Sequence, residues 1–475
     1  MKSLIKNSLY NILYVLMNVV FPLVTTMYIS RILLVEGIGK VAYAQTIASY
    51  FLTVASVGIP IYGIKAIASC GNDKEKTNEQ FCELLYINVI VSVMSAIIYF
   101  VMIFTVDSFK MELSLYCACG LQIILNAFNI EWLFKGKEDY GLILIRSFII
   151  KLLSFISVIL FVNENSDYVM YALISSVALA GNHIWNLVCA KKYVQLRFTN
   201  LNLLRHIKPL AILLGTAILG TLYHKIDITM LGIMANERVV GLYSNAHKSI
   251  NIILSATTAM TAVFLPRLSS LYYNSEKKEL QSALHMGMDI LSLFCIPACV
   301  GLYILAPQLT VLLYGEAFRA VAISLRLFVP LILINSYGDL FCYQLIIASG
   351  NENKRLLVNF MGVLINIGLN AVLIPRFYEK GATIASVLSE FVINVLLFIY
   401  IKKTIGFSVS MKSAIKSLLA AIGMGIVVYA ITALGLSNFV TCIMGIAVGL
   451  LTYFAFNLLI SNEILTHCFR KVIKR

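Results

Sequence analysis

The sequence predicts an all-α integral membrane protein with about fourteen transmembrane helices. Of the 475 residues, 60% are hydrophobic and only 13% are charged, whereas soluble globular chains are about 45–50% apolar and about 25% charged. The apolar residues also lie in runs of about twenty, the length that crosses a hydrocarbon layer of ~30 Å as a helix. The connections between these runs are too short to hold a long soluble domain.

The apolar runs place the helices in order along the chain. Charged or polar connections such as SCGNDKEKTNEQ, GNENKR and KKTIGFSVSMK mark the clearest boundaries. Pro297 and Pro307 are expected to interrupt the segment around 286–320, and prolines inside spans predict bends or hinges there, as at Pro22 and Pro330. The predicted spans are 9–31, 41–62, 82–104, 113–134, 141–162, 168–190, 210–233, 241–265, 286–306, 321–347, 356–375, 381–401, 414–434 and 438–460.

The basic residues predict the orientation of the chain. Lys and Arg are concentrated in the N-terminus, in the even-numbered connections and in the tail RKVIKR, which predicts that both termini are cytoplasmic. This bias explains the formal net charge of +14 without a nucleic-acid partner. The first apolar run follows Lys2 and Lys6 and has no small-residue cleavage site, so we interpret it as a first span and not as a signal peptide.

A basic linker divides the predicted helices into two groups. Residues 191–209 carry apolar residues between basic ones, as in an interfacial helix on the cytoplasmic side. Two short matches, each six helices apart, agree with a parallel repeat that binds substrate between its halves. Gly39-x4-Ala44 matches Gly241-x4-Ala246, and Gly136-x-Glu138 matches Gly350-x-Glu352. The predicted domains are an N-terminal lobe of helices one to six (1–190), the linker (191–209), a C-terminal lobe of helices seven to twelve (210–403), and two extra helices with a basic cytoplasmic tail (404–475).

Basic residues inside the spans are the first candidates for function. A cation in hydrocarbon costs ~2.5 kcal/mol or more, so it normally faces the bundle interior or a water-filled cavity. Lys151 and Lys225 lie near the middle of their spans, about ten and about fifteen residues in, and predict a binding site or path for an anion. Arg146 and Arg326 lie near a membrane face and could reach it, while Lys248 is intermediate. A structural ion pair is the alternative for each.

Carboxylates inside the spans are candidates for ion coupling. A salt bridge to another helix and a proton- or ion-coupling role are both open for them. Glu390 is the better coupling candidate, because its span is otherwise free of charge, and Asp227 is its rival beside Lys225. The sequence has no P-loop, nucleotide fingerprint, metal cluster or nucleophile motif, so we expect no cofactor and no enzymatic activity. The ten cysteines are expected to be core thiols.

Three stretches resemble one known family, the polysaccharide-biosynthesis or O-antigen repeat-unit flippases. This family belongs to the multidrug/oligosaccharidyl-lipid/polysaccharide exporter superfamily. The first stretch, residues 21–68, has the pattern Ser-Arg, Gly, Ser-Tyr-Phe and Gly-Ile-x-x-Tyr-Gly. The second is EWLFKGKEDYGLILIRSFIIK, with a Trp-x-x-x-Gly-x-Glu-Asp pattern followed by an Arg and a Lys five apart. The third comprises DITMLG with VGLYSNAHK at 227–248, and IPRFYEKGATIASVLSE at 374–390.

The resemblance implies two six-helix lobes around a central cavity, two C-terminal helices and alternating access. It implies a cargo of undecaprenyl-pyrophosphate-linked oligosaccharide, moved from the inner to the outer leaflet of a bacterial cytoplasmic membrane for O-antigen, capsule or exopolysaccharide assembly. Membrane lipid, a coupling proton or sodium ion and a polysaccharide polymerase complex are the other partners to consider. The chain departs from the family pattern in its basic Lys-Gly-Lys-Glu turn and in Ile-Leu-Leu-Val-Glu after Arg31.

The buried cations and the resemblance lead to one set of candidate residues. A pyrophosphate is strongly anionic, so Lys and Arg side chains can replace the water that it loses. By motif position the resemblance implicates Arg31, Arg146, Lys151, Asp227 and Lys248. The predicted headgroup-binding residues are Arg31, Arg146, Lys151, Lys225, Lys248 and Arg326, and the predicted coupling residues are Asp227 and Glu390.

Two other functions remain alternatives. A drug/cation antiporter of the same superfamily would need acidic or aromatic residues facing a cationic cargo, and the buried cations argue against it. A membrane glycosyltransferase or polymerase would need acid/base or metal-binding residues at the outer face. The predicted outer connections are short and carry only scattered charges.

Overall fold

A computed structural model describes residues 2–195 and 201–460, and every regular element in these ranges is a helix. The all-α prediction is confirmed. By internal contacts the chain divides into two units, Met1–Gly232 and Ile233–Arg475. Each unit is an assembly of long helices joined by short connections.

The first unit contains nine α-helices and two short 3₁₀ turns, at Asn126–Phe128 and Asn165–Asp167. Its α-helices are α1 (Lys2–Ser56), α2 (Ile59–Ser69), α3 (Lys74–Thr105), α4 (Asp107–Lys110), α5 (Leu113–Leu125), α6 (Glu131–Gly136), α7 (Tyr140–Phe161), α8 (Tyr168–Ala190) and α9 (Leu204–Met234).

The second unit contains nine α-helices, a 3₁₀ turn at Glu316–Phe318 and a π-helix at Asp339–Tyr343. Its α-helices are α10 (Glu237–Ala262), α11 (Leu265–Tyr273), α12 (Lys277–Tyr314), α13 (Val321–Phe328), α14 (Pro330–Gly338), α15 (Gln344–Ala348), α16 (Glu352–Ile405), α17 (Lys412–Ala433) and α18 (Asn438–Leu459).

The number of membrane crossings agrees with the sequence. In the described part of the chain, 11 segments are long and apolar enough to cross a membrane. Two of them, Leu13–Ser69 and Lys354–Ile405, have 57 and 52 residues, which is enough for two crossings each. The shorter apolar helix Leu113–Phe128 provides a further crossing. When each of the two long segments counts as two crossings and Leu113–Phe128 counts as one more, the total is fourteen, as predicted.

In each of the two long segments, one residue with a positive φ breaks a continuous helix between two predicted spans. Leu34 breaks α1 at φ 54° and ψ −169°, and Tyr378 breaks α16 at φ 52° and ψ −127°. Both breaks fall between predicted spans, so these two boundaries are confirmed. Such a backbone conformation costs a residue with a side chain of the order of 1–3 kcal/mol, and the packing of the adjoining helices must offset this cost.

The four prolines singled out in the sequence differ in their effect on the helices. The expected interruption around 286–320 is wrong, because α12 continues through both Pro297 and Pro307. Proline is tolerated inside membrane helices where neighbouring groups satisfy the freed backbone carbonyls. Pro330, in contrast, begins α14 directly after α13 has ended at Phe328. Pro22 lies inside α1 without a break at that position.

The linker region is only partly described. Residues 191–195 and 201–203 are turns and irregular structure, so they hold none of the expected interfacial helix, and residues 196–200 lie outside the described residues. Residues 204–209 of the predicted linker already belong to α9. By contacts α9 groups almost entirely with the first unit. The predicted lobe boundaries at 190 and 210 stay a prediction.

The spanning helices expose apolar side chains, as expected for a surface in lipid. Ile97 on α3 is 58% exposed, Ile426 on α17 is 68% exposed and Leu451 on α18 is 71% exposed. A helix that is apolar on its outward face as well as its inward face is typical of a membrane span.

Trp132 fixes the position of the charged turn that precedes α7. Its indole is buried and its Nε1 donates to the carbonyl oxygen of Asn129 at 3.0 Å. Gly63 on α2 is so close that a Cβ atom there would lie 2.7 Å from the indole ring. Only glycine fits here without a shift of the ring. The close packing of α2 on α6 places Glu131 at the start of α6.

Candidate functional site

Arg146 on α7 lies inside the first unit and is paired. Only 1% of the residue is exposed, and its Nη2 donates to Oε2 of Glu131 at 2.8 Å. Its Nη1 donates to Oδ1 of Asn186 on α8, while its Nε is buried without a hydrogen bond. The guanidinium therefore joins α6, α7 and α8 and does not extend to a membrane face. Arg146 thus forms the structural ion pair that the sequence analysis gave as the alternative to a binding role.

Glu131 is shared by several donors. Lys135, one helical turn later, lies 2.9 Å from its Oε1, and the Tyr14 hydroxyl of α1 donates to the same oxygen at 3.2 Å. Burial by itself would lower the pKa of the Lys135 ammonium, but the Glu131 carboxylate outweighs this effect and raises the pKa above its ordinary value. One carboxylate thus serves two cations, Lys135 and Arg146, and the cluster keeps an excess of positive charge.

Lys151 lies on the same helix as Arg146 but has a different partner. Its Nζ donates to Oδ1 of Asn18 on α1 at 2.7 Å. In the described part of the chain no carboxylate lies within ion-pair distance of this ammonium. A neutral amide orients Lys151 without cancelling its charge.

Lys225 on α9 is half-buried. Its backbone carbonyl accepts from the Thr229 hydroxyl at 3.1 Å, but its Nζ makes neither a hydrogen bond nor an ion pair with the described residues. Asp227, two positions later, is buried, with 7% exposed. Side chains two apart on a helix do not face each other, so this pair is not a local salt bridge. Lys225 is a cation deep in its predicted span, and the described part of the chain provides no counter-charge for it.

The second unit holds three of the predicted residues. Lys248 on α10 is exposed. Arg326 on α13 is held at α12, where its Nε donates to the carbonyl oxygen of Tyr303 at 2.8 Å and its guanidinium lies 5.2 Å from the centre of the Tyr303 ring. Glu390 on α16 accepts from Nδ2 of Asn394 at 3.4 Å, one turn along the same helix.

The structure therefore distributes the predicted residues over both units. Arg31 is exposed on α1, in the same unit as Arg146, Lys151, Lys225 and Asp227. Within that unit Arg146 is joined to Glu131 and Asn186, and no hydrogen bond among the described residues joins it to Lys225. The predicted headgroup and coupling roles stay predictions.

Sequence reasoning missed a buried charged cluster at Glu83 on α3. The Glu83 side chain is fully buried, and its Oε1 accepts from the backbone N–H of Asn202 at 2.7 Å. Its Oε2 contacts Nε of Arg205 at 2.8 Å and Nε2 of His206 at 2.7 Å. The other ring nitrogen of His206 lies 2.9 Å from the hydroxyl of Tyr62 on α2. The pairing joins the start of α9 to α2 and α3.

No metal site is found among the described residues, because no group of three or more His, Cys, Asp or Glu side chains is arranged to hold an ion. The nine cysteines of the described ranges form no disulfide with one another, and most are buried.

The fold is that of a class of membrane transporters. A lipid II flippase, MurJ, in an inward closed conformation superposes with a TM-score of 0.67 at 14% identity, covering 94% of this chain and 99% of that one. An inward-facing multidrug resistance MATE family transporter superposes with a TM-score of 0.64 at 16% identity, covering 81% of this chain and 94% of that one.

The sequence identifies the family within this class. The profile of the polysaccharide biosynthesis protein family matches residues 4–272, more than half of the chain, so the chain belongs to that family. A protein of Escherichia coli K12 named as a candidate O-antigen transporter is 22% identical over 418 residues, 84% of this chain and 97% of that protein. A Haloferax volcanii protein named as a probable low-salt glycan biosynthesis flippase is 22% identical over half of each chain.

Proposed function

We propose that the protein is a flippase for undecaprenyl-pyrophosphate-linked oligosaccharide repeat units. It moves them from the inner to the outer leaflet of a bacterial cytoplasmic membrane by alternating access, for the assembly of O-antigen, capsule or exopolysaccharide. Both termini lie in the cytoplasm, and the protein is a transporter, not an enzyme. The membership of the polysaccharide biosynthesis protein family supports this proposal.

The observation that carries the proposal is a pair of deep lysines that make no ion pair within the described part of the chain. Lys225 has no hydrogen-bonding partner at its Nζ there, and the Nζ of Lys151 donates to the neutral amide of Asn18. An ammonium in an apolar span is unfavourable unless an anion or water compensates it. A lipid pyrophosphate supplies that negative charge while its prenyl tail stays in lipid. A cationic drug would add to the unfavourable charge.

The other cations have supporting roles in this proposal. Arg31 and Lys248 are exposed, and the proposal assigns both to the pyrophosphate headgroup. Arg146 donates to Glu131 and Arg326 to the carbonyl oxygen of Tyr303, so these two arginines contribute positive potential and fixed geometry more than new contacts.

A flipping assay tests the proposal. Purified protein is placed in lipid vesicles, and the transfer of undecaprenyl-pyrophosphate-linked oligosaccharide between leaflets is followed. Replacing Lys151 and Lys225 with Ala should reduce transfer by at least tenfold while the protein still inserts, because removing a buried charge relieves a desolvation cost. Lys110→Ala, which removes a cation from an exposed pair with Asp107, is the matched control. Full transfer by Lys151→Ala/Lys225→Ala would overturn the proposal.

The same vesicles test ion coupling. Asp227 and Glu390 are proposed to take up a proton or sodium ion in one facing state and release it in the other. Replacing the coupling residue with Gln should remove the response of transfer to an imposed pH gradient. If Asp227→Gln and Glu390→Gln both keep the wild-type response, neither residue couples transport to protons.

A further inference from the structure

Helix α10 differs from the other spanning helices in its exposed surface. Every residue of α10 is described, and none of its exposed side chains is a large hydrophobic one. By contrast, α3 exposes Ile90, Val93, Met94 and Ile97. Beyond its first turn, the exposed residues of α10 are Lys248, Asn251, Ser255, Ala256, Thr258, Ala259 and Ala262.

The polar members of this set lie on one face. Lys248, Asn251, Ser255 and Thr258 are separated by three or four positions, the spacing that places side chains above one another on a helix. Together they form what we call the helix-10 polar stripe, which extends roughly 15 Å along the axis. Because a spanning helix does not turn a polar face to lipid tails, the stripe faces water inside the protein.

Three members of the stripe, Asn251, Ser255 and Thr258, are neutral hydrogen-bonding groups. The Asn251 amide lies 3.2 Å from Nδ1 of the His247 ring, and the Ser255 hydroxyl donates to the carbonyl oxygen of Asn251 at 2.7 Å. The Thr258 hydroxyl donates to Oδ2 of Asp339 at 2.9 Å. Each side chain thus keeps an oxygen that can accept a further hydrogen bond. Amides and hydroxyls of this kind suit an uncharged, hydroxyl-rich ligand better than an ion.

An aromatic cluster lies beside the stripe. The half-buried His247 ring stacks on Tyr243 with an interplanar angle of 12° and a centroid distance of 5.7 Å, and it lies 6.0 Å from Phe328. Tyr243 and Phe328 are fully buried, so they fix the plane of the imidazole. A ring held in this way beside hydroxyl-binding groups suits the apolar face of a sugar ring.

We infer that the helix-10 polar stripe binds the glycan part of the cargo. His247 stacks against a sugar ring, Asn251 and Ser255 hydrogen-bond its hydroxyls, and Lys248 lies at the end where the glycan joins the anionic phosphate. The inference rests on the proposed flippase function, since it assigns the second half of the same substrate. It makes α10 a determinant of which repeat unit the protein accepts.

Two lipid probes test the inference. One is undecaprenyl pyrophosphate, and the other is the same lipid carrying a disaccharide of N-acetylglucosamine. Binding of both to purified full-length protein in lipid nanodiscs is measured for the wild type and for Asn251→Leu/Ser255→Ala. The variant should bind the glycosylated probe about tenfold more weakly, the effect of losing about two hydrogen bonds, and the bare lipid with less than a twofold change.

A matched control removes hydroxyls elsewhere. Ser69 and Thr105 are also exposed and also donate to backbone carbonyls, at 2.8 Å and 2.7 Å, so Ser69→Ala/Thr105→Val should bind both probes as the wild type does. An equal loss for both probes, or no loss for either, would overturn the glycan assignment. If the wild-type protein binds neither probe, the flippase function itself is overturned, and the assignment with it.

Discussion

Arg146 is the most constrained of the buried cations, because Glu131 and Asn186 hold its guanidinium between three helices. A buried ion pair adds little net stability compared with apolar residues of the same size, but breaking it leaves one charge uncompensated. Changing Arg146 alone would therefore affect both folding and transport. Its role in transport can be separated from its role in the fold only in a variant that changes Arg146 and Glu131 together.

Removing the Glu131 charge should destabilise the protein strongly. Glu131→Gln leaves the guanidinium of Arg146 buried without its counter-charge, which should cost about 3 kcal/mol. Removing both charges in Arg146→Met/Glu131→Gln should restore most of this loss. Thermal unfolding of the purified single and double variants measures both effects. A double variant that is less stable than Glu131→Gln would show that the pair does not act as a unit.

Residue-level prediction from the sequence was limited by partners far away in the chain. Hydropathy places Arg146 and Lys225 inside spans, since it depends only on neighbouring residues. Hydropathy cannot show that Glu131 forms an ion pair with Arg146, or that Lys225 has no ion pair among the described residues. Both facts depend on how the helices are rotated about their axes. Glu83 was missed for the same reason, since at the edge of a span it resembles an ordinary interfacial charge.

At the level of elements, the Glu83 cluster fixes where α9 begins. Three groups from the segment that leads into α9 converge on this one carboxylate, namely the N–H of Asn202 and the side chains of Arg205 and His206. The carboxylate is fully buried, and in the described part of the chain these neighbours compensate its charge. The start of α9 is thus attached to α3 independently of apolar packing.

Two glutamates that share Arg205 provide a matched test. Glu83→Ala should destabilise the protein by about 3 kcal/mol and speed amide hydrogen exchange at residues 201–206, because a buried pair is broken. Glu79 lies 2.8 Å from the same arginine, but its side chain is 45% exposed, so Glu79→Ala should cost less than about 1 kcal/mol. Hydrogen exchange monitored by mass spectrometry separates the two. Equal effects would mean that burial of Glu83 is not what matters.

Element boundaries were predicted well where composition changes and poorly where it does not. The breaks at Leu34 and Tyr378 fall between apolar runs of spanning length, so the runs reveal them. The continuity of α12 through Pro297 and Pro307 could not be predicted, because it depends on neighbouring helices. The π-helix at Asp339–Tyr343 has no signal in hydropathy at all.

For the whole molecule, orientation in the membrane decides the direction of transport. The bias of Lys and Arg predicts cytoplasmic termini, which places the connection at Asp73 inside and the one at Asn236 outside. Both residues cap the start of a helix, α3 and α10, and so lie in connections. Alkaline phosphatase fused after Asn236 should be active, and the same enzyme fused after Asp73 should be inactive. A fluorescent protein should give the opposite pattern, and activity of the Asp73 fusion would reverse the proposed direction of transport.

The joints at Leu34 and Tyr378 have a consequence for how the chain can change in length. A flexible loop absorbs an added residue, but each of these joints is a single residue between two helices. One extra residue there would rotate the following helix by about 100° and shift it by about 1.5 Å. The helix beyond each joint would then be displaced relative to its neighbours until a loop took up the change, and after Tyr378 this displacement includes Glu390. Single-residue insertions that the polar connection at residues 70–73 can accept are excluded at these two joints by geometry.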